Sequence, residues 1–459
     1  MSPKRFLNIN HKIFPVIFFF LNIIISNSFK VPMKSKIITI DSNNINPGTH
    51  SRGLLEKEME VINYKFFLME TNICLGKPEQ CFKVLYDTGS VYLILGENNS
   101  NLKFKTGFTP LMSDTFSSPS ERILAIPFKS SVIYAKEVRD IISIVPNYKS
   151  PYLFSFALSF NSTESYDYDG ILGLGNHYPK LDSENSFDER FSFVHYLKRN
   201  GIISKLIFGH EYKDRIHGSL YFGEEPKSMR SGYFKCKVQN FIAYNNKWRC
   251  QLLSVYFSGG DSYITLGSTA AFDTGNAYIK GPYFQASDIL DRIESIGRGK
   301  CEKFSLNFDA DNEVSRLICD RDIKKSEFPD LSFDIVGFKM TLLKGDLFRK
   351  IIVNGEIKYE VVIIADSSYS YWNFGEPILK NYDMVFNYED NTVGFVVNMN
   401  YLGGDWMKVA ILGIIFICVI IAGIYIFSNR KTIFKKRIKE EDIKKIQAKE
   451  LQETLQIQD

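Results

Sequence analysis

Asp87 follows the apolar run Val84-Leu85-Tyr86, Asp273 follows Ala270-Ala271-Phe272, and each aspartate opens an Asp-Thr-Gly turn. A carboxylate placed against apolar strand residues must be paired, hydrogen-bonded or protonated. One Asp-Thr-Gly is an ordinary turn. Two, in matching contexts and in different halves of the chain, point to a pair that meets in the folded protein. Carboxylates brought close cannot both ionise without strong repulsion, so they share a proton and titrate together. One member can then take a proton from water while the other donates to a carbonyl oxygen, and the roles exchange as the leaving group departs. This chemistry uses no covalent intermediate, and neither a metal nor another cofactor is expected. Gly89 and Gly275 permit tight turns and close backbone N–H approach to the carboxylates.

The elements around these turns read as strands. From about Tyr64 to Asn398, runs of four to eight residues rich in Ile, Val, Phe and Tyr alternate with Gly, Asn, Asp and Pro clusters. KFFLMETNICLG, KVLYDTGS, RILAIPF, SVIYA, SLYFGEE, SYITLGS, KYEVVIIAD and NTVGFVVN are examples. Helical spacing is local, in FSFVHYLKRNG (191–201) and ASDILDRIESIG (286–297). The expectation is an all-β body, and 459 residues are enough for two lobes.

Both ends carry targeting signals. Lys4, Arg5 and Lys12, the apolar run Ile13–Ile25 and then Ser26-Asn27-Ser28 have the order of a secretory signal peptide over 1–28. Trp406–Phe427 supplies 22 largely apolar residues, enough to cross a hydrocarbon layer of ~30 Å. The basic flank that follows places the tail 428–459 in the cytosol. The body is then luminal or extracellular, in a single-pass type I protein of the secretory pathway or cell surface. Of the net charge of +4, most lies in that tail, where nine Lys/Arg face six Asp/Glu. A near-neutral body argues against nucleic acid as a partner.

In an oxidising compartment the six cysteines outside the span, Cys74, Cys81, Cys236, Cys250, Cys301 and Cys319, are disulfide candidates. Fifteen connectivities are open, of which nearest-neighbour pairing is the simplest. Metal binding is the other reading, but it lacks a C-x-x-C pair or a His cluster. Asn98 and Asn161 head N-x-[ST] sequons and are glycosylation candidates.

Over residues 60–398 the chain resembles the pepsin-like aspartic proteases. The resemblance rests on the paired Asp-Thr-Gly turns and on Asp169-Gly-Ile-Leu-Gly-Leu-Gly175, similar to the hydrophobic-hydrophobic-Gly segment behind the first turn. Trp372-Asn-Phe-Gly375 is similar to its counterpart in the second half, and Asn72–Gln80 to the hairpin before the first aspartate. It implies a bilobal all-β fold with a central cleft, plus here one C-terminal transmembrane helix. The N-terminal lobe would cover 59–225 and the C-terminal lobe 226–402, after a prosegment at 29–58 whose Phe29-Lys-Val-Pro-Met-Lys34 is similar to a pepsinogen prosegment start. The anchor and the Asn/Lys/Ile-rich composition are similar to plasmepsin-like members.

The resemblance further implies that Asp87 and Asp273 are catalytic. Thr88 and Thr274 would lock the loops together, and Ser90 would bond the outer oxygen of Asp87. The substrate would be an extended peptide or protein in the cleft, cut by a monomer. Three positions depart from the family pattern. Asn276 replaces a Thr or Ser, with an amide that could donate to Asp273. Phe128 falls where the flap over the cleft carries a tyrosine, with Tyr134 as the alternative. Leu93-Ile94 replaces Leu-Trp, whose Trp bonds that tyrosine in the family. A second reading, a catalytically impaired relative that binds peptides or proteins, therefore stands beside the membrane-anchored endopeptidase.

Overall fold

The computed structural model describes residues 29–40, 443–448 and, with interruptions of which 177–190 is the longest, 62–398. The signal segment 1–28, residues 41–58, Asn161, the span 406–427 and most of the tail lie outside the described residues. Among the described residues no helix is long and apolar enough to cross a membrane. Residues 402–459 form a unit separate from 1–401, and of them only the exposed helical turn at 443–448 is described.

The body is mostly β, and its two halves repeat one device. Strand Gln80–Asp87 carries Val84, Leu85 and Tyr86 into the core and runs parallel to Gly170–Gly173, with Asp87 opposite Gly173. Strand Thr269–Phe272 likewise runs parallel to Trp372–Phe374, with Phe272 opposite Phe374. Each aspartate is thus delivered at the buried end of a strand, where an apolar run without alternation is expected.

A ladder of antiparallel strands joins the halves. Phe234–Lys237 pairs with Thr392–Val397, which pairs with Tyr382–Asn387. That strand crosses to Ile207–Tyr212, with Val385 opposite Gly209, and the ladder continues through His217–Phe222 to Phe29–Ile40. The last strand, the described part of the prosegment candidate, also pairs with Ile62–Leu75, Ile37 lying opposite Phe67. Aromatic rings close the seam between the halves. Phe208 stacks on Phe386 at 4.8 Å and meets Trp248 at 6.0 Å and Tyr388 at 5.9 Å between ring centroids.

The helices fall where their spacing places them. Phe193–Arg199 is capped by Ser192 and ends in Lys198 and Arg199, which suit the negative C-terminal end of a helix. Tyr283–Gly297 starts three residues earlier than its apolar spacing indicates and buries Ala286, Ile289, Leu290 and Ile293. Three disulfides join Cys74 to Cys81, Cys236 to Cys250 and Cys301 to Cys319. The nearest-neighbour pairs are therefore the ones the fold brings together. Glu79 beside Cys74 and Cys81 makes a cluster of metal-ligating residue types. Its two sulfurs are bonded to each other, so no thiolate is left to bind an ion.

Candidate active site

The two turns meet through their threonines. Thr88 N donates to Thr274 Oγ1 at 3.0 Å, and Thr274 N donates to Thr88 Oγ1 at 3.0 Å. Each hydroxyl then donates to the strand of the opposite half: Thr88 to the Phe272 carbonyl at 2.8 Å and Thr274 to the Tyr86 carbonyl at 2.9 Å. All four bonds are buried, so breaking any of them strands a desolvated donor or acceptor. The glycines are needed for close approach. A Cβ on Gly275 would lie 2.5 Å from Asp87 Oδ1, and a Cβ on Gly89 would overlap the Asp273 carboxylate. Each turn therefore packs its glycine against the aspartate of the other.

The carboxylates are 4 % and 8 % exposed, for Asp87 and Asp273 respectively. Burial and the neighbouring charge of Asp273 push Asp87 up to about 6, against smaller downward pulls from Lys247, Ser90 and the Gly89 amide. That amide donates to Asp87 Oδ1 at 2.7 Å. Burial also opposes ionisation of Asp273, but there it is outweighed by the charge of Lys247 and by hydrogen bonds from Asn373 and Asp87, so this carboxyl is held below its usual range. Asn373 Nδ2 donates to Asp273 Oδ2 at 3.0 Å, and Lys247 Nζ lies 3.3 Å from the same oxygen. The two carboxyls are pushed in opposite directions, Asp87 toward keeping its proton and Asp273 toward losing it, which is the sense of separation that a general acid and a general base require.

Asn276 does not take the part expected of it. Its Oδ1 accepts from Tyr278 N at 3.2 Å, and its buried Nδ2 has no hydrogen-bond partner. Its side-chain oxygen is spent on its own turn, and Asn373 reaches Asp273 instead. Sequence reasoning also missed Lys247, which carries no motif. For Asn373 a signal was present: it is a polar residue inside an otherwise hydrophobic-hydrophobic-Gly segment.

Second-half aromatic residues hold the segment behind the first turn. The Trp248 indole N–H donates to the Leu174 carbonyl at 2.9 Å, and the Tyr388 hydroxyl donates to the Gly175 carbonyl at 2.8 Å. Gly175 N in turn donates to the Ser90 carbonyl at 2.6 Å. Tyr86, one residue before Asp87, lies 3.1 Å from His210 Nδ1 through its hydroxyl, and burial lowers that imidazole to about 3.

The hairpin expected to form the flap is present in the backbone. Ile123–Phe128 pairs antiparallel with Ser131–Ser143, and Phe128 stands opposite Ser131 at the turn. Tyr134 lies three residues further along the return strand, opposite Ala125, and is 45 % exposed. Ile94 is fully buried. Asn98 is exposed beyond strand Leu93–Gly96. A cavity lined by Asp346, Phe348, Arg349, Ile351 and Lys380 includes neither aspartate.

The chain is similar to several known proteins. Cathepsin E-A of Xenopus laevis is 25 % identical over 367 residues, covering 74 % of this chain and 82 % of the relative. Embryonic pepsinogen of Gallus gallus is 23 % identical over 341 residues, covering 70 % and 78 %. Pregnancy-associated glycoprotein 6 of Ovis aries is 27 % identical over 244 residues, covering 52 % of this chain and 61 % of the relative. The model of the eukaryotic aspartyl protease family matches residues 69–397, a stretch that contains both turns, both parallel strand pairs and the strands Ile207–Tyr212 and Tyr382–Asn387 that pair across the halves. With that match over most of its length, the chain belongs to the eukaryotic aspartyl proteases.

Proposed function

We propose that this protein is an active aspartic endopeptidase in which Asp87 and Asp273 are the catalytic pair. The observation that carries the reading is the meeting of the two Asp-Thr-Gly turns with their carboxyls displaced in opposite directions. Asp273, the more acidic member, accepts a proton from a water between the carboxylates. Asp87 donates its proton to the carbonyl oxygen of the scissile peptide, which becomes a gem-diol. Proton return to the amine then completes hydrolysis. The Thr88–Thr274 lock keeps the carboxylates in one geometry, so little reorganisation is needed as charge develops.

The substrate is an extended peptide or protein segment lying across the turns beneath the hairpin that ends in Phe128. With Ile94 where the family has Trp, that hairpin closes by packing. The test uses the full-length chain on a mixed peptide library, read by mass spectrometry. Wild type should cut, while Asp87→Asn and Asp273→Asn should each lose at least about a hundredfold in rate, the range that general acid–base groups contribute. Equal cutting by wild type and either variant would refute the catalytic pair.

The alternative, a relative that binds peptides without cutting them, has one point in its favour. Among the matched proteins, cathepsin and pepsinogen carry an activity in their names and the glycoprotein does not. Retention of both aspartates favours catalysis. Tight binding of a peptide that survives prolonged incubation would favour the alternative.

The anchoring segment 406–427 and its basic flank support a type I membrane protein with a luminal or extracellular body. Proteolysis of intact vesicles should remove the tail and spare the body, and the reverse pattern would overturn this topology.

A further inference from the structure

Lys247 is held beside the dyad by the residue that follows it. Trp248 is fully buried, its indole donates to Leu174, and its carbonyl accepts from Phe272 N at 3.0 Å, one residue before Asp273. Two residues further on, Cys250 is tied to Cys236. The backbone at Lys247 is therefore registered against both aspartate turns. Its ammonium donates to the Gly89 carbonyl at 2.6 Å in the first half and to Asp273 Oδ2 at 3.3 Å in the second.

A lysine side chain that was merely solvated would keep its three donors in water. This one gives two of them to acceptors in opposite halves and keeps 24 % of its side-chain surface exposed.

The other titratable and charged groups facing this site are few. Asp87 lies within the same field, and Tyr371 and Tyr369 approach from the second half. Arg249 lies over the Tyr371 ring at 3.5 Å. Lys280 is 3.6 Å from Asp366 and 5.1 Å from the centroid of the Tyr369 ring. Lys247 bonds directly to a carboxylate of the dyad.

We infer that Lys247 is a positioning residue of the dyad: by bridging Gly89 and Asp273 it fixes Asp273 as the charged base and leaves the shared proton on Asp87. The inference rests on the endopeptidase reading and assigns that site a built-in cation. Burial opposes the charge on Lys247, but Asp273 and Asp87 outweigh it and hold the ammonium above its usual range, so it stays charged wherever the dyad works. A fixed cation favours the less protonated form at each step of the dyad's titration. Both limbs of a bell-shaped activity profile therefore lie at lower pH than they would without it.

The test compares full-length wild type, Lys247→Met and Lys247→Arg on a peptide that wild type cuts, following kcat/KM against pH. Both limbs should move up by about one pH unit or more in Lys247→Met, as expected when an opposite charge within ~4–6 Å is removed. Lys247→Arg should restore the wild-type limbs. A carbon-13 titration of the aspartate carboxyls in the same chains, with Asp273→Asn for assignment, reads the same shift without turnover. It decides the role of Lys247 even if wild type cuts no peptide, an outcome that would refute only the endopeptidase reading. Superposable titrations of wild type and Lys247→Met would overturn the inference. So would a rise in kcat with unmoved limbs, because Lys247 would then be a plug over the dyad.

Discussion

In the first half, the strand leading to Asp87 lies beside Gly170-Ile171-Leu172-Gly173, with Leu85 opposite Ile171. In the second, the strand leading to Asp273 lies beside Trp372-Asn373-Phe374, with Ala271 opposite Asn373. Leu85 and Ala271 each stand two residues before their aspartate, so Ile171 and Asn373 occupy equivalent places. The backbone device is the same, and so are the threonine bonds that cross between the turns. The side chains at the equivalent place are not. Ile171 offers Asp87 nothing, while Asn373 donates to Asp273, and it is the Asp273 carboxylate that Lys247 bonds directly. Backbone and hydroxyls thus set the geometry of the pair, and two side chains outside the Asp-Thr-Gly motifs favour the charged form of Asp273.

The largest test of this division makes the second half like the first. Asn373→Ile removes a hydrogen bond to a charged group, an interaction typically worth about 1.5–3 kcal/mol. The acid limb of the activity profile should move up, and kcat/KM at its low-pH end should fall about tenfold or more. The alkaline limb should move less, because Asp87, which holds the proton there, has no bond to Asn373. An unshifted acid limb would show that Lys247 holds Asp273 without the amide.

A smaller effect is expected in stability. The Asp87 carboxyl sits at about 6 in the folded protein, above its ordinary value of 3.8. Between these two values the folded state binds more protons than the unfolded one, so this group's contribution to stability falls as pH rises through the window. Above about pH 6 the full penalty for ionising a buried carboxyl beside Asp273 is present. Asp87→Asn removes it while leaving an oxygen for the Gly89 amide. The melting temperature of Asp87→Asn should therefore exceed that of wild type at pH 7, and the gap should shrink toward pH 4. A gap that widens on acidification would contradict the raised Asp87 carboxyl. His210 acts in the opposite sense. Buried neutral at about 3, it lets stability fall as pH drops below the ordinary imidazole value of 6.5. The two groups are separable by running His210→Gln in parallel, since that variant should lose less stability on acidification.

Much of this arrangement was legible in the sequence because it is written in short-range pattern. Apolar runs ending in Asp-Thr-Gly gave both strands and both turns, and 3.6-residue spacing gave the helices at Phe193–Arg199 and Tyr283–Gly297. The ladder from Ile207–Tyr212 to Tyr382–Asn387 was not legible, since nothing local in either strand names a partner more than 170 residues away. Lys247 follows Asn245 and Asn246 in a stretch that reads as a polar loop. Only the burial of Trp248 and its bond to Leu174 turn that lysine toward the dyad. Asn276 shows the reverse error. Its place directly after the turn suggested a donor to Asp273, but adjacency along the chain does not fix where an amide points.

That error leads to the smallest expected effect and the finest test of the comparison. Ser90 and Asn276 are the fourth residues of the two turns, and Asn276→Ser would make those positions identical. In the wild-type turn the Asn276 side-chain Oδ1 accepts from Tyr278 N at 3.2 Å, while the side-chain Nδ2 is buried without a partner. A serine hydroxyl can accept from the same N–H and leaves no second donor to satisfy. The gain from removing an unsatisfied donor and the loss of some packing should nearly cancel, leaving stability within about 1 kcal/mol of wild type. Activity should change by no more than about threefold, because the bonds that hold Asp273 charged come from Asn373 and Lys247 and are untouched. Parallel kinetics of Asn276→Ser and Asn373→Ile settle the assignment. If the Asn276 variant shifts the acid limb and the Asn373 variant does not, the donor to Asp273 is the residue that sequence adjacency pointed to.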